Sequence, residues 1–383
     1  RVAAVSGRTE EGLSASIDLD LSWSEDALPQ VERTKHVHGL HPYLGKFVPQ
    51  LVEVFLRRYF VPGSRIYDPF VGSGTTLVEA NAFGADSIGS DISAFNCLLT
   101  RVKTAHYSLG ELELRLRGAL EAARRSTDAQ LDPDGEASSP WLQQWFAPRS
   151  LAELRRYGAA VDQLPQPLAD VGRVILSRSA RSARRTTHFD LDFPRAPQTE
   201  PYFCFKHKRT CRPVDEAVKF LTRYTADTIR RIREFATIRT SREAAVLHAD
   251  SRTLTLPAPV DGVITSPPYP GLIDYHEQHR YAYELLGLID RRDEEIGAAA
   301  SGRGRVAADR YIEGVSAVFA NSRRQLARDG MVLIVVNDSA GLYPTILANA
   351  GLSLEGRLTR HVNRRTGRRA GEYFEDVLVC RPR

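Results

Sequence analysis

The stretch that decides the fold runs from Arg65 to Ala80, RIYDPFVGSGTTLVEA. Arg65-Ile66-Tyr67 reads as a short buried strand stopping at Asp68-Pro69, Gly72 and Gly74 mark a tight turn, and Thr75–Ala80 is a helical run. Strand, glycine turn and helix in that order let backbone N–H groups approach a ligand and set the positive end of a helix behind them. The turn alone is weak evidence. Its surroundings strengthen it, because a second strand-like run, Ser87–Ser90, ends at Asp91, 17 residues after Gly74. A carboxylate there can accept both hydroxyls of a ribose. The bland alternative is a tight turn beside a solvent-facing acid. Since Asp68-Pro69-Phe70 precedes the glycines and no Gly-Lys-Ser/Thr follows them, neither a dinucleotide fingerprint nor a P-loop fits.

Upstream, Val48, Leu51, Val52, Phe55 and Leu56 form the stripe of an amphipathic helix over Val48–Tyr59, ended by Pro62-Gly63. Residues 1–35 show no sustained period and read as an irregular lead-in. Downstream, strand-like runs return at Ala245–Ala249, Gly262–Thr265 and Met331–Val336. The predicted fold is therefore α/β, a doubly wound Rossmann-like sheet interrupted by a large, mostly helical insertion. Residues 36–103 and 245–383 form the sheet-bearing domain, and residues 104–244 are inserted. Breaks are expected at Asp132–Gly135 and Phe193–Pro201, with a loop over Arg291–Arg305.

With 383 residues, 42% hydrophobic and 26% charged, the chain has globular composition and enough length for a real core. No window approaches the roughly 18 apolar residues of a membrane span, and the first residues carry no apolar signal segment. A cytoplasmic location is the expectation. Four cysteines, Cys97, Cys204, Cys211 and Cys380, are too few for a disulfide scaffold in a chain this long. The net charge of +5 is small, but its distribution is uneven. From Val171 to Thr240 there are 16 Lys or Arg against 7 Asp or Glu, and from Gly356 to Arg383 there are 8 Arg against 3 acids. Clustered positive charge of this kind is the footprint of a phosphate-binding surface, or of ordinary solvated helices.

A second chemical anchor follows the buried run Gly262-Val263-Ile264: Thr265-Ser266-Pro267-Pro268-Tyr269. Two prolines at a strand end stop the ladder, leaving the Pro267 carbonyl free to accept a foreign hydrogen bond. The Ser266 hydroxyl is a second acceptor, and Tyr269 offers a flat face to an aromatic base. Together they form a receptor for an exocyclic amino group. In isolation the tetrapeptide reads equally as a Pro-Pro turn with an incidental tyrosine.

The pair Asp68–Thr76 (DPFVGSGTT) and Thr265–Tyr269 (TSPPY) resembles the S-adenosylmethionine-binding and catalytic motifs of the amino-directed DNA methyltransferases. The likeness extends along most of the chain. His41–Phe47 (HPYLGKF) resembles the family element that closes over the methionine end of the cofactor. The order of parts is similar to the family's α arrangement, which places target recognition in the long insertion. The resemblance implies that Lys46, Phe47, Asp68, Phe70, Gly72, Ser73, Gly74, Thr75, Thr76, Asp91 and Ile92 hold S-adenosylmethionine. It further places Asp250 on the adenine side. Ser266, Pro267, Pro268 and Tyr269 would be catalytic. An SPPY form is most often associated with N4 of cytosine, so site-specific N4-cytosine methylation of flipped-out bases is expected, with N6-adenine methylation as the alternative. An RNA base methyltransferase and an inert nucleic-acid-binding module are more remote. C5-cytosine chemistry needs a cysteine nucleophile, typically after proline, and no cysteine here follows one. The implied partners are double-stranded DNA and a cognate restriction endonuclease.

Inside the insertion, Arg178, Arg181, Arg184 and Arg185 read as a phosphate-tracking strip or a solvated coil, with the strip preferred, and Lys206, Lys208 and Arg209 as further DNA contacts. Cys204, His207 and Cys211 offer three metal ligands, with His188 a candidate fourth, but structural zinc takes four at recognisable spacing. Packed thiols and no metal are expected. Asp274–Arg280 reads equally as a wall of the base pocket or as a buried helix start.

Overall fold

The computed structural model describes residues 21–45, 48–125, 139–185, 196–204, 207–271, 273–298, 302, 304–362 and 373–383. A short helix, α1 (Gln30–Arg33), leads into α2 (Pro49–Tyr59), whose buried face is Leu51, Val52, Phe55 and Leu56. The expected stripe is present, with Val48 outside the helix at its N-cap. Strand β1 (Arg65–Asp68), α3 (Thr75–Phe83), β2 (Asp86–Asp91) and α4 (Ala94–Thr104) then wind the first parallel crossovers.

The predicted insertion follows. It contains α5 (Leu109–Arg125), α6 (Pro140–Trp145), α7 (Pro148–Asp162), α8 (Leu168–Ala183), a small antiparallel hairpin of β3 (Tyr202–Cys204) and β4 (Arg209–Cys211), and α9 (Val218–Ala236). Its helices share one hydrophobic cluster with α4: Leu116, Leu154, Val174 and Ile229 pack in the same core as Phe95, Leu98 and Leu99. The insertion is thus welded to the sheet-bearing part, with no separate core among the described residues.

The sheet resumes with β5 (Ala244–His248) and β6 (Val260–Thr265), followed by α10 (Tyr275–Gln278), α11 (Arg280–Leu286), α12 (Arg305–Arg324), β7 (Leu326–Val336), α13 (Tyr343–Ala350), β8 (Leu352–His361) and β9 (Phe374–Pro382). Strand order is β5-β2-β1-β6-β7-β9-β8, parallel except at β9, which runs antiparallel to β7 and β8. Side chains alternate across the strands. Tyr67, Val263, Val332 and Ile334 join one core, while Ile66, Ile264, Leu333 and Val335 join the other. Both faces being covered, the second half of β7, Met331–Val336, is one unbroken apolar run, while its start carries Arg328 and Asp329 into solvent.

Three of the described arginines after Gly356 are paired within the sheet. Arg357 pairs with Asp376 at 2.6 Å, buried Arg360 with Glu375 at 2.8 Å and Arg381 with Glu355 at 3.1 Å, so these arginines bind the last two strands together. Arg364, Arg365, Arg368 and Arg369 lie outside the described residues. No helix among those described is long and apolar enough to cross a membrane.

Candidate active site

A cavity opens at the carboxyl ends of β1, β2 and β6, the edge where an open parallel sheet binds ligands. Its floor is the glycine turn. Gly74 sits at φ +78 and a Cβ there would lie 2.8 Å from Thr100; Gly72 sits at φ +48 under the Tyr43 hydroxyl, 3.1 Å from where its Cβ would be. Only glycine meets both demands. The buried Lys103 ammonium donates to the Ser73 carbonyl at 2.5 Å, and α3 starts at Thr75 directly behind.

Asp91 lines this cavity together with Phe70, Gly72, Ser73, Thr75, Ile92, Asp250 and Ser266. Its carboxylate accepts from the amides of Gly72 (3.0 Å) and Ser93 (2.8 Å) and from Asn96 Nδ2 (3.0 Å). Burial raises its pKa, and these three bonds pull against that rise. A carboxylate has about four lone-pair sites, so the expected acceptance of two ribose hydroxyls has less room than the sequence suggests. Asp250 is paired with Arg252 at 2.8 Å; burial would raise its pKa, but the Arg252 bonds outweigh this and lower it.

Asp68, Gly74 and Thr76 are not part of the cavity wall. Asp68, almost fully buried, accepts from the Thr265 hydroxyl at 2.6 Å and from the Phe70 amide at 3.1 Å. Burial pushes its carboxyl up to about 6, against those bonds. Thr76 donates to the Ile264 carbonyl at 3.3 Å. Both residues therefore act as ties between the first anchor and the strand that carries the second. Lys46 and Phe47 lie outside the described residues.

At the second anchor, Ser266 and Pro268 face the cavity. The Pro268 carbonyl accepts from Tyr311 at 2.9 Å, whereas the Ser266 hydroxyl and the Pro267 carbonyl have no protein partner among the described residues. Tyr269 faces an adjoining cleft that shares Arg252, Glu294, Glu295 and Ile296 with the first cavity. Its hydroxyl donates to Glu375 at 2.9 Å, and Glu375 is held by Arg360. A tyrosine anchored at its tip keeps its ring face fixed.

Several wall residues were not singled out from the sequence. Tyr43 is stacked on Tyr275 with ring centroids 5.7 Å apart and on His279 at 5.5 Å; burial raises its phenol well above the usual range. Asn96, in the first turn of α4, lines the cavity and holds Asp91. Tyr43 lies in the HPYLGKF stretch read as closing over the cofactor, but with no role of its own assigned, and Asn96 has only its position shortly after Asp91 as a signal. Tyr275 and His276 line the same cavity, while buried His279 packs on Phe95 at 4.4 Å. The run starts a helix, with Asp274 as its N-cap, and two of its residues border the cavity over the glycine turn.

Of the arginine strip, Arg178 and Arg184 are taken up by the protein itself. Arg178 pairs with Asp227 at 2.6 Å and lies 4.2 Å over the Tyr224 ring. Arg184 is fully buried, 4.7 Å over the Tyr281 ring, and burial lowers its pKa to about 9. The segment is the end of a packed helix, α8, and a helix turns successive residues to different faces, so no single exposed row forms. Arg181 and Arg185 are half-buried, and Arg185 donates to the Gln144 carbonyl at 3.3 Å. Lys208 and Arg209 are exposed on the β3–β4 hairpin, and Lys206 lies outside the described residues.

Comparison with known proteins places these features in context. The DNA methylase family model matches residues 8–101. The type II methyltransferase M.MjaII of Methanocaldococcus jannaschii is 38% identical over 449 aligned positions, covering 96% of this chain and 84% of that one. The type II methyltransferase M.MvaI of Kocuria varians is 39% identical over 70 residues, 18% of this chain and 15% of that one. Among solved structures, the rRNA methyltransferase aviRa of Streptomyces viridochromogenes superposes with a TM-score of 0.36 at 12% identity, covering 89% of this chain and 88% of that one.

Proposed function

The chain belongs to the amino-directed DNA methyltransferase family, and from that premise we propose that it methylates N4 of cytosine in a specific duplex sequence, acting on a base rotated out of the helix. S-adenosylmethionine is the family's methyl donor, and it supplies a methyl group on a positively charged sulfur. The residues present suit it. A glycine turn without room for side chains meets two carboxylates, Asp91 and Asp250, and the aromatic faces of Phe70 and Tyr43 line the same cavity.

A base inside the duplex cannot reach this cavity, and extruding it costs a few kcal/mol. In our reading, Tyr269 receives the extruded ring on its face. Ser266 Oγ and the Pro267 carbonyl accept the two amino N–H bonds, which directs the nitrogen lone pair toward the cavity. Asp68, through Thr265, and Tyr311, through the Pro268 carbonyl, hold this tetrapeptide in place. Such prearranged acceptors lower the barrier by alignment, without a covalent intermediate. We assign target recognition to residues 104–244, with Arg181, Arg185, Lys208 and Arg209 as the phosphate contacts; a cognate restriction endonuclease is the partner this role implies.

The observation that carries the reading is the pair of unengaged acceptors at Ser266 and Pro267 beside the anchored Tyr269. Nucleoside analysis of DNA methylated with labelled S-adenosylmethionine should return N4-methylcytosine; N6-methyladenine would keep the pocket and overturn the base. Ser266→Ala should leave cofactor affinity intact while single-turnover methylation falls roughly 10-fold or more, about 1.4 kcal/mol. An unchanged rate would remove Ser266 from the amino-group site.

A further inference from the structure

In the β3–β4 hairpin, the structure brings together three side chains that sequence spacing left unresolved. Cys204 Sγ, a His207 ring nitrogen and Cys211 Sγ lie within 4.8 Å of one another. We propose that Cys204, His207 and Cys211 bind one zinc ion that closes this hairpin, with water in the fourth position.

The geometry supports this in three ways. Tyr202 pairs with Cys211 and Cys204 with Arg209 in the antiparallel register. Opposed residues share a face and side chains alternate, so both sulfurs project to the same side of the ribbon. His207, in the connecting turn, reaches back to place Nδ1 3.3 Å from Cys211 Sγ. A tetrahedral zinc with Zn–S of about 2.3 Å and Zn–N of about 2.0–2.1 Å has ligand–ligand edges of roughly 3.5–3.8 Å, so one ion spans the set with small side-chain adjustments.

The backbone is arranged for a thiolate. The His207 amide donates to Cys204 Sγ at 3.4 Å, a bond that stabilises negative charge on sulfur. Lys208, next to His207, adopts φ +52, a left-handed conformation uncommon for a non-glycine residue. Finally, the hairpin needs a staple. Its strands have three residues each, and an isolated two-stranded ribbon is marginal in water. The expected packing of these thiols in a core accounts for Cys204, which is buried, but not for half-buried Cys211 or exposed His207. Sulfur and imidazole donors select zinc over magnesium or calcium. A second three-donor group, His36, His38 and Glu79, is wholly buried, and its carboxylate already has the Lys35 ammonium 3.5 Å away.

The test is metal content of the full chain purified without chelator. One zinc per chain is expected by mass spectrometry, and cobalt substitution should produce thiolate-to-metal charge-transfer bands with tetrahedral ligand-field bands. The Cys204→Ser/Cys211→Ser double variant should lose both while its circular dichroism and S-adenosylmethionine affinity match the wild type. The milder His207→Asn should weaken zinc affinity measurably and keep the fold. A wild-type chain that takes up no stoichiometric zinc, or a folded double variant that keeps its metal, overturns the proposal. Neither result depends on which base is methylated.

Discussion

At the glycine turn, residue type follows from backbone geometry; at the end of α8, four arginines share a residue type and almost nothing else. Gly74 must be glycine because its φ is positive and Thr100 fills the space beside it. Any chain that makes this strand-turn-helix needs the same residue there, so the sequence pattern and the structure carry the same information. Arg178, Arg181, Arg184 and Arg185 look equivalent as letters. In the fold, one is paired to Asp227, one is buried on Tyr281 and two are half-buried. A glycine pattern reports local conformation, which is a property of a few consecutive residues. A charge pattern reports only composition until the neighbours are known, because arginine packs its stem and stacks its head as readily as it faces water.

The largest expected effect tests the first half of this contrast. Gly74→Ala adds a left-handed penalty of roughly 1–2 kcal/mol to a steric cost of roughly 1–3 kcal/mol against Thr100. Urea melts should show the sum, and S-adenosylmethionine binding should be lost with it. A variant as stable as the wild type would mean that the turn is not dictated by its backbone.

Next, Arg184→Ala tests the buried arginine. It should cost roughly 2–3 kcal/mol in the same melts through lost packing and stacking, while the dependence of DNA affinity on salt keeps its slope. Normal stability with a shallower salt slope would return Arg184 to the phosphate-tracking strip.

Comparable or slightly smaller in size is the pH effect at Asp68, the tie between the two anchors. Its folded pKa is raised to about 6 from the ordinary 3.8, so the folded state holds the proton more tightly. Stability from this group is complete below the unfolded value and is lost as pH rises through about 6. At about 1.4 kcal/mol per pH unit, wild type should lose up to roughly 3 kcal/mol more than Asp68→Asn between about pH 4 and pH 6. Parallel stability curves for the two proteins would show that the carboxyl titrates normally.

The smallest effect sharpens the other side. Lys208→Ala and Arg209→Ala lie on an exposed hairpin and should change stability by no more than about 0.5 kcal/mol. Each should reduce the salt slope of DNA binding by roughly 0.9 per lost phosphate contact. Unchanged slopes would leave the hairpin without a phosphate role.

The sequence by itself determined the α/β architecture, the strand-turn-helix at Asp68–Thr76, the buried run of β7 and the two anchors of the site. Each of these rests on short-range rules: glycine for positive φ, proline at the end of a ladder, alternation for strands and a 3.6-residue stripe for helices. Only the tertiary structure decided that Asp68 and Thr76 reach across to β6 and not into the cavity, that Tyr43 covers Gly72, and that Glu375 on β9 fixes Tyr269. The same holds for Arg360, whose guanidinium is spent inside the sheet edge. These are contacts between residues far apart in the chain. Their partners are chosen by which elements pack together, and no local pattern encodes the far end of a hydrogen bond.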